Sequence, residues 1–476
     1  MSRKCVVGMG RDPQVAHGSG LFPPGAAWGV LAVLLGTLAV PLDSAVNVDF
    51  PFITAHFHLP IPLIQWIVIS YTLTTASLML VFGRAADMLG YRRVFLLGCG
   101  WSAVAFVLCA AAPSYAWLLA ARGLQGIGAG LVLSCGPALI TALYPDTQRA
   151  RALGLYTLGF GLGGALGPVL GGLLVARFGW SAVFWARAPI AILGGLAGLA
   201  LPATPRRAQD ERFDRTGALL LVLAIAALLA ALNRVRTPAV ALAAAATAAL
   251  TLALFIRREA RVPHPLLDLR PFRAWGFALA NVANALVNLA AFAVLLLVPF
   301  VLARLPGLSI AAGGLVLAAS PAGVMLGGPL AGRLARYVPS AALMPAGAVL
   351  VAAGLACIGG FSDGVATLAP AMLAQGVGLG VFQVAYFDVV TGAIPVRDRG
   401  VAGSLGMLTR TLGLVAGATV LMSVFQAVRD AALRHGVEAG IAFETGFRTT
   451  FLIAAAIPMV LAVVQLVRWR IAHGRG

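Results

Sequence analysis

Lysine is nearly absent from this chain: Lys4 is the only one in 476 residues, and 33 of the 34 basic side chains are arginine. A phosphate-cradling P-loop needs a lysine beside its glycines, so a nucleotide-driven pump of that type is excluded. Any uphill work must draw on an ion gradient. Charge of either sign is scarce, at 11% of residues, where soluble domains carry about 25%. Too little polar surface remains to cover a water-soluble globule. The five cysteines (Cys5, Cys99, Cys109, Cys135, Cys357) show no CxxC spacing, and four lie in apolar runs. They read as small buried apolar residues, with no disulfide framework and no metal site. The six histidines fall in loops or tails, and neither HExxH nor GxSxG occurs. The usual constellations for metal-assisted or nucleophilic hydrolysis are therefore missing, and we expect no enzyme activity, no metal and no cofactor. The pair His56 and His58 supplies two potential ligands, too few for a site, and reads as loop polarity.

What is present is apolar. Hydrophobic residues make up 60% of the chain, and the mean hydropathy is +0.94. Gly (56) and Pro (27) are abundant, as in membrane helices. The formal charge of +18 would suit a nucleic-acid partner. However, the arginines stand in short clusters between long apolar runs, which is the positive-inside pattern instead. Arginine in place of lysine, with so much alanine and glycine, points to a GC-rich bacterial genome. The run that begins at Trp28 lies behind a 27-residue lead with no small-residue cleavage site, so the first helix is expected to remain as a true span.

A span takes about 20 apolar residues. Fourteen stretches qualify, from 28–48 at the start to 448–468 at the end. The weakest are the short, Ala-rich pair at 217–232 and 238–256. With the N-terminus in the cytoplasm, 24 basic residues fall inside, seven outside and three (Arg122, Arg187, Arg410) within spans. That imbalance sets both termini in the cytoplasm, in a bacterial inner membrane.

The chain repeats itself. Gly83-Arg84-Ala85-Ala86-Asp87 returns 249 positions later as Gly332-Arg333-Leu334-Ala335-Arg336, and Gln125-Gly126-Ile127-Gly128-Ala129-Gly130 returns 250 later as Gln375-Gly376-Val377-Gly378-Leu379-Gly380. Two matches at nearly one offset imply duplicated halves. We read a cytoplasmic tail (1–27), a six-helix half (28–201), a linker with an inserted helix pair (202–273), a second six-helix half (274–468) and a short cytoplasmic tail (469–476). Duplicated halves place a substrate path between them near the bilayer midplane.

Four motifs carry a family resemblance. Leu42-Asp43-Ser44-Ala45-Val46-Asn47-Val48 resembles a first-helix motif written LDxTxVNxALP, with one residue fewer between the Asp and the Val-Asn pair, Asp49 in place of the usual Ala, and Pro51 matching. Gly83 through Arg93 is similar to a loop motif between helices 2 and 3. Arg122-Gly123-Leu124-Gln125-Gly126-Ile127-Gly128 is similar to the helix-4 motif RxxQGxG. Gly159 through Gly172, with Gly163, Gly167, Pro168, Gly171 and Gly172, resembles the helix-5 motif associated with antiporters. Together with the loop Pro263–Arg273, these identify the chain as a member of the major facilitator superfamily, in its fourteen-helix drug:proton antiporter branch. The resemblance implies an all-α membrane protein, two six-helix halves plus an inserted pair. It also implies proton-coupled export of amphipathic drugs, antibiotics or related metabolites by alternating access. A facilitator-type importer or a dedicated metabolite or lipid exporter of the same fold is the alternative. The expected partners are a small-molecule substrate, protons and the lipid bilayer, with no nucleic acid and a monomeric chain. The ExxER motif of fourteen-helix peptide importers is absent, since no Glu precedes Glu211.

The residues have their own reading. Asp43 stands about 22 Å along its helix at 1.5 Å per residue, inside the apolar slab. There a charged Asp costs on the order of 3 kcal/mol and faces a cavity or a partner. We expect it to load and release a proton or to make a structural contact between helices. Asn47 lies one turn on, on the same face. The resemblance makes Arg122 part of a proton relay; the alternative is a fixed counter-charge pinning helix 4 to helix 1. Asn47, Asp49 and Arg410 are candidates for the substrate cavity, although Asp49 near the outer end of its helix suits interfacial solvation, and Arg410 suits snorkelling. Asp388 suits solvation or capping. In the loop, Gly83, Arg84, Asp87, Gly90, Arg92 and Arg93 read as a latch, with Asp87 accepting from helix N-termini and neighbouring arginines; the second-half copy has Arg336 where an acid would stand. Gly167-Pro168 and Gly171-Gly172 provide a kink and close helix approach. Helix 10 carries no acid, which weakens the case for dicationic drugs. Phe292, Phe300, Phe382, Tyr386, Phe387 and Phe425 are aromatics available to line a cavity or to pack the bundle.

Overall fold

The computed structural model describes residues 27–144, 149–202, 214–233, 238–262, 270–360, 365–393 and 399–473. All regular structure among them is helical, as apolar runs of this length require where no water can satisfy the backbone. The first half comprises α1 (Ala27–Leu38), α2 (Val46–His56), α3 (Gln65–Leu89), α4 (Tyr91–Ala110), α5 (Tyr115–Ala142), α6 (Arg149–Phe178) and α7 (Ala182–Gly198). An inserted pair follows, α8 (Arg215–Asn233) and α9 (Pro238–Glu259). The second half comprises α10 (Trp275–Leu302), α11 (Ile310–Leu317), α12 (Ala319–Leu334), α13 (Ser340–Gly359), α14 (Val365–Gly392), α15 (Arg399–Arg434) and α16 (Ala439–His473).

Among the described residues, eleven helices are long and apolar enough to cross a membrane, counting α1–α2 and α11–α12 as one rod each. Three further helices fall short of that standard. α7 has 17 residues, the apolar part of α8 runs only from Thr216 to Leu228, and α3 carries hydroxyls at Ser70, Thr72, Thr74, Thr75 and Ser77.

The internal repeat is built into the packing. The repeated glycines of α5 and α14 sit at matching places. A Cβ on Gly126 would lie 2.6 Å from the Tyr71 carbonyl of α3, and one on Gly376 would lie 2.0 Å from the Ser320 carbonyl of α12. Likewise Gly128 abuts Ser102 of α4 and Gly378 abuts Val351 of α13. Tyr71 and Ser320 are themselves 249 apart, as are Ser102 and Val351. Each copy of the glycine motif therefore wedges one helix between the same two neighbours.

The halves meet through α2, α3 and α6 of the first, with α3 lying against α15. α6 packs on α11 and α12, and α2 packs on α10 and α11, whereas α1 packs chiefly on α5, α6 and α7 of its own half. At the junction, Gly172 and Gly314 bring two backbones together: a Cβ on Gly314 would stand 2.3 Å from the Pro168 carbonyl, and one on Gly172 would stand 2.9 Å from the Ile310 carbonyl. In the inserted pair, α8 contacts α3 and α15 while α9 leans on α8. Leu242 (73% exposed) and Leu250 (61%) of α9 face outward, as a lipid-facing helix requires. Arg258 Nε reaches both Asp214 carboxylate oxygens at 2.8 Å, and the Gly217 amide donates to the same carboxylate at 2.9 Å, so this acid both caps α8 and ties it to α9.

Two expectations need correction. Helix 1 crosses as one rod but is not one continuous α-helix: α1 stops at Leu38, and a 3₁₀ turn over Pro41–Ala45 separates it from α2. Proline has no amide to donate and its ring opposes the preceding helical turn, and the chain answers with shorter bonds, Val40 N–H to the Thr37 carbonyl (3.1 Å) and Asp43 N–H to the Val40 carbonyl (3.0 Å). The cysteines also divide: Cys99, Cys109 and Cys135 are buried as expected, but Cys357 is exposed. Cys5 lies outside the described residues.

Candidate functional site

The break in helix 1 is where the site begins. Because the Asp43 amide bonds to Val40, the carbonyl of Ala39 loses its helical donor, and Arg187 of α7 supplies the replacement through Nη2 (2.8 Å) and Nε (3.2 Å). The same guanidinium reaches Asp43 Oδ1 at 2.6 Å through Nη1. Arg122 of α5 closes on Asp43 from the other side as a two-pronged pair, Nη1 to Oδ1 at 2.6 Å and Nη2 to Oδ2 at 2.8 Å. Gln125, one turn along α5, donates to Oδ1 at 3.0 Å and accepts from Arg122 at 2.7 Å. The Ile67 carbonyl of α3 takes the Arg122 Nε proton at 3.0 Å. Two rings cover the cations, Tyr71 against Arg122 (4.4 Å) and Phe106 against Arg187 (4.3 Å).

The cluster thus joins helices 1, 2, 3, 4 and 6 of the first half around one carboxylate. Arg122 (1% exposed) and Arg187 (3%) are both buried, and two cations against Asp43 leave an excess positive charge. Charge-assisted, bidentate bonds of this kind are strong, while removing one partner of a buried pair costs about 3–5 kcal/mol because the other charge is stranded. Arg187 and the amide of Gln125 are the members that sequence reasoning left without a role. Arg187 carried a signal, as a mid-span arginine with no acid on its own helix.

Asp49 is found elsewhere than expected. It is completely buried, not solvated at a helix end, and neither carboxylate oxygen has a hydrogen-bond partner. It stands in α2 with Asn47, which is 8% exposed. The acid is therefore closed off from any open cavity in this conformation.

The helix-5 motif of α6 packs against the break. A Cβ on Gly163 would meet Pro41 at 2.6 Å, on Gly167 Ser44 Oγ at 2.0 Å, and on Gly171 the Ala45 carbonyl at 2.8 Å. Ser44 Oγ in turn donates to the Gly164 carbonyl at 2.9 Å. Glycines on one face of α6 thus hold the turn that bears Asp43, while Gly172 faces the second half. In the loop motif, the side chains of Arg84 and Asp87 lie outside those described. Gly90 takes φ +93°, a conformation that suits glycine, and links α3 to α4. Arg93 is exposed, and Arg92 Nη2 reaches the Leu199 carbonyl at the end of α7 at 2.5 Å, which joins the loop to the last helix of its half.

The second half carries polarity of another kind. Asn281, Asn284 and Asn288 of α10 are all buried. Asn284 donates to Thr409 Oγ1 (2.8 Å) and the Gly406 carbonyl (3.1 Å) of α15, Asn288 donates to Asn284 Oδ1 (3.0 Å), and the Tyr386 hydroxyl donates to Asn281 Oδ1 (2.9 Å). Arg410, beside Thr409, is half-buried, and no ion-pair partner for it occurs among the described residues. Asp388 accepts from Ser340 Oγ at 2.6 Å at the start of α13. Of the six aromatics named above, Phe292, Phe300, Phe382, Tyr386 and Phe425 are buried in the packing, and Phe387 is half-buried. The His56 ring lies edge-on to Phe57 and tilted against Trp180.

Comparison with known proteins agrees in kind. The family described as Major Facilitator Superfamily matches residues 32–418. The chain is 30% identical over 423 residues to "Multidrug resistance protein Stp" of Mycobacterium tuberculosis, covering 87% of this chain and 78% of that one. It is 31% identical over 422 residues to the "Tetracenomycin C resistance and export protein" of Streptomyces glaucescens, covering 86% and 77%. Among solved structures, it resembles a bacterial homolog of the human lysosomal transporter Spinster in an inward-facing, unoccupied conformation, with a TM-score of 0.69 at 18% identity over 93% of this chain and 96% of that one.

Proposed function

The chain belongs to the major facilitator superfamily, and from that premise we propose that it is a proton-coupled antiporter that exports amphipathic drugs, antibiotics or related metabolites. The observation that carries the reading is Asp43, held on a broken turn of helix 1 by arginines from two other helices. A proton arriving on Asp43 cancels the charge that holds Arg122 and Arg187, so loading the proton loosens three helices at once. One proton crossing 100 mV supplies about 2.3 kcal/mol, which sustains roughly a forty-fold substrate gradient at about 1.4 kcal/mol per decade. The relatives named for multidrug resistance and for tetracenomycin C export support an outward direction.

In this reading all fourteen helical rods cross a bacterial inner membrane with both termini cytoplasmic, as the arginine distribution requires, and the chain works as a monomer of the fourteen-helix branch. The halves 28–201 and 274–468 rock about the Gly172–Gly314 contact. The contacts of α2 with α10 and α11 support a state closed on the α2 side, and in this reading the α1 side faces the cytoplasm. Arg92 and the surrounding Gly83–Arg93 loop latch the cytoplasmic ends of helices 2, 3 and 6. Asn47 and Arg410 face the substrate path from opposite halves.

The test is Asp43→Asn in energised inverted vesicles. We expect coupled dye export to be lost while the protein remains in the membrane at normal abundance. Dye export that equals the unmodified protein and still collapses with an uncoupler would remove Asp43 from the coupling.

A further inference from the structure

Asp49 is a buried acid that the proposed coupling leaves without a task. It is 0% exposed and both of its oxygens lack hydrogen-bond partners. An unpaired ionised carboxylate in such a place costs several kcal/mol, whereas a neutral acid lacking one hydrogen bond costs about 1–3 kcal/mol. The charged groups that act on it are Arg187, Asp43 and Arg122, and both arginines are already engaged by Asp43. The remaining helices packed against α2 offer nothing to pair with it. α10 and α11 carry no titratable residue, and neither does the Gly159–Ala176 stretch of α6 that faces helix 1.

We propose that Asp49 is a second proton-binding site of the transport cycle, taking a proton from the outer water when α2 separates from α10 and α11, holding it in this conformation and passing it inward. This rests on the antiport reading above. The site is poised for release. With Asp49 neutral, the group formed by Arg122, Arg187, Asp43 and Asp49 carries one excess positive charge. Losing the proton makes it neutral, so the excess positive charge offsets part of the cost of ionising Asp49. Water is excluded as long as α2 lies against α10 and α11, which is the contact that opening to the outside must break. Once that contact breaks, outer water reaches the site, and an O–H bond breaks on hydronium as one forms on Asp49. After Asp43 has given up its own proton to the inner side, the Asp49 O–H bond breaks and one forms on the Asp43 carboxylate, which delivers the proton inward.

The test uses the full chain in lipid nanodiscs, read by infrared spectroscopy at the carbonyl stretch of a protonated carboxylic acid. At neutral pH we expect this band in the unmodified protein and in Asp43→Asn, its loss in Asp49→Asn, and its disappearance in alkaline buffer. Absence of the band, or its persistence in Asp49→Asn, overturns the site. Asp49→Ala is the second variant, because it removes volume where an amide adds unpaired donors. Coupling is read separately in proteoliposomes with ethidium as the probe. Losing one carried proton should lower steady-state ethidium accumulation about ten-fold for each unit of imposed pH difference, and accumulation equal to the unmodified protein overturns the carrier role. Uncoupler-insensitive accumulation by the unmodified protein would instead sink the antiport reading, and the infrared result on Asp49 would stand.

Discussion

The two halves share a scaffold and differ in chemistry. Gln125 and Gln375 occupy equivalent places in α5 and α14, each behind a glycine that wedges its helix against a neighbour. In the first half the glutamine completes an ion cluster around Asp43. In the second it accepts from Ser320 Oγ at 2.7 Å, a neutral contact between α14 and α12. The first half places three of the charges of the membrane interior in one hydrogen-bonded group, and the second has an amide ladder and one arginine beside it. Duplication preserved the backbone contacts, where a single Cβ is intolerable, and left the side chains free to diverge. In the half that holds the charge cluster, the broken helix offers an unmet carbonyl, at Ala39, that the buried Arg187 satisfies.

That contrast breaks most sharply at Arg187. Arg187→Leu strands both the Ala39 carbonyl and part of the Asp43 charge, and we expect about 3–5 kcal/mol of lost stability, seen as a marked drop in melting temperature, with transport abolished. Next comes Gly167→Ala, whose new methyl would lie 2.0 Å from Ser44 Oγ and 3.0 Å from the Ala45 amide. Overpacking of this kind costs about 1–3 kcal/mol, and displacement of the Asp43 turn should reduce dye export along with stability. Gly164→Ala, three residues away with nothing within 4 Å of its new methyl, serves as the neutral control. The paired glutamines sharpen the comparison further. Gln125→Leu and Gln375→Leu should each cost about 1–3 kcal/mol, yet only the first should alter the pH dependence of export. The smallest effect is expected in the inserted pair: Asp214→Asn should weaken the α8–α9 tie by about 1 kcal/mol, with transport retained, as measured by thermal unfolding and vesicle assays together.

Much of this was legible in the sequence. Long apolar runs dictate helices because lipid satisfies no backbone polar group, and the two motifs recurring near 250 residues announced the duplication that Tyr71 with Ser320 and Ser102 with Val351 reproduce in space. Asp43 and Arg122 were singled out as intramembrane charges, and they pair. Other features were not legible. The continuous apolar run hid the turn at Pro41, and Arg187 looked like any mid-span arginine. Asp49 was read as solvated from its place near a helix end, an inference that failed because α2, α10 and α11 close over it.

What the sequence alone determined is the class of molecule. One lysine, few acids and runs of apolar residues leave a helical membrane protein in duplicate, and glycine spacing sets which helices touch, since backbone approach depends only on the missing Cβ. What the tertiary structure decided is the pairing of charges. Whether an acid buried in a bilayer is clamped, like Asp43, or left without a partner, like Asp49, depends on which helices from distant parts of the chain converge on it, and at a few ångströms' separation that is fixed by packing and not by spacing along the sequence.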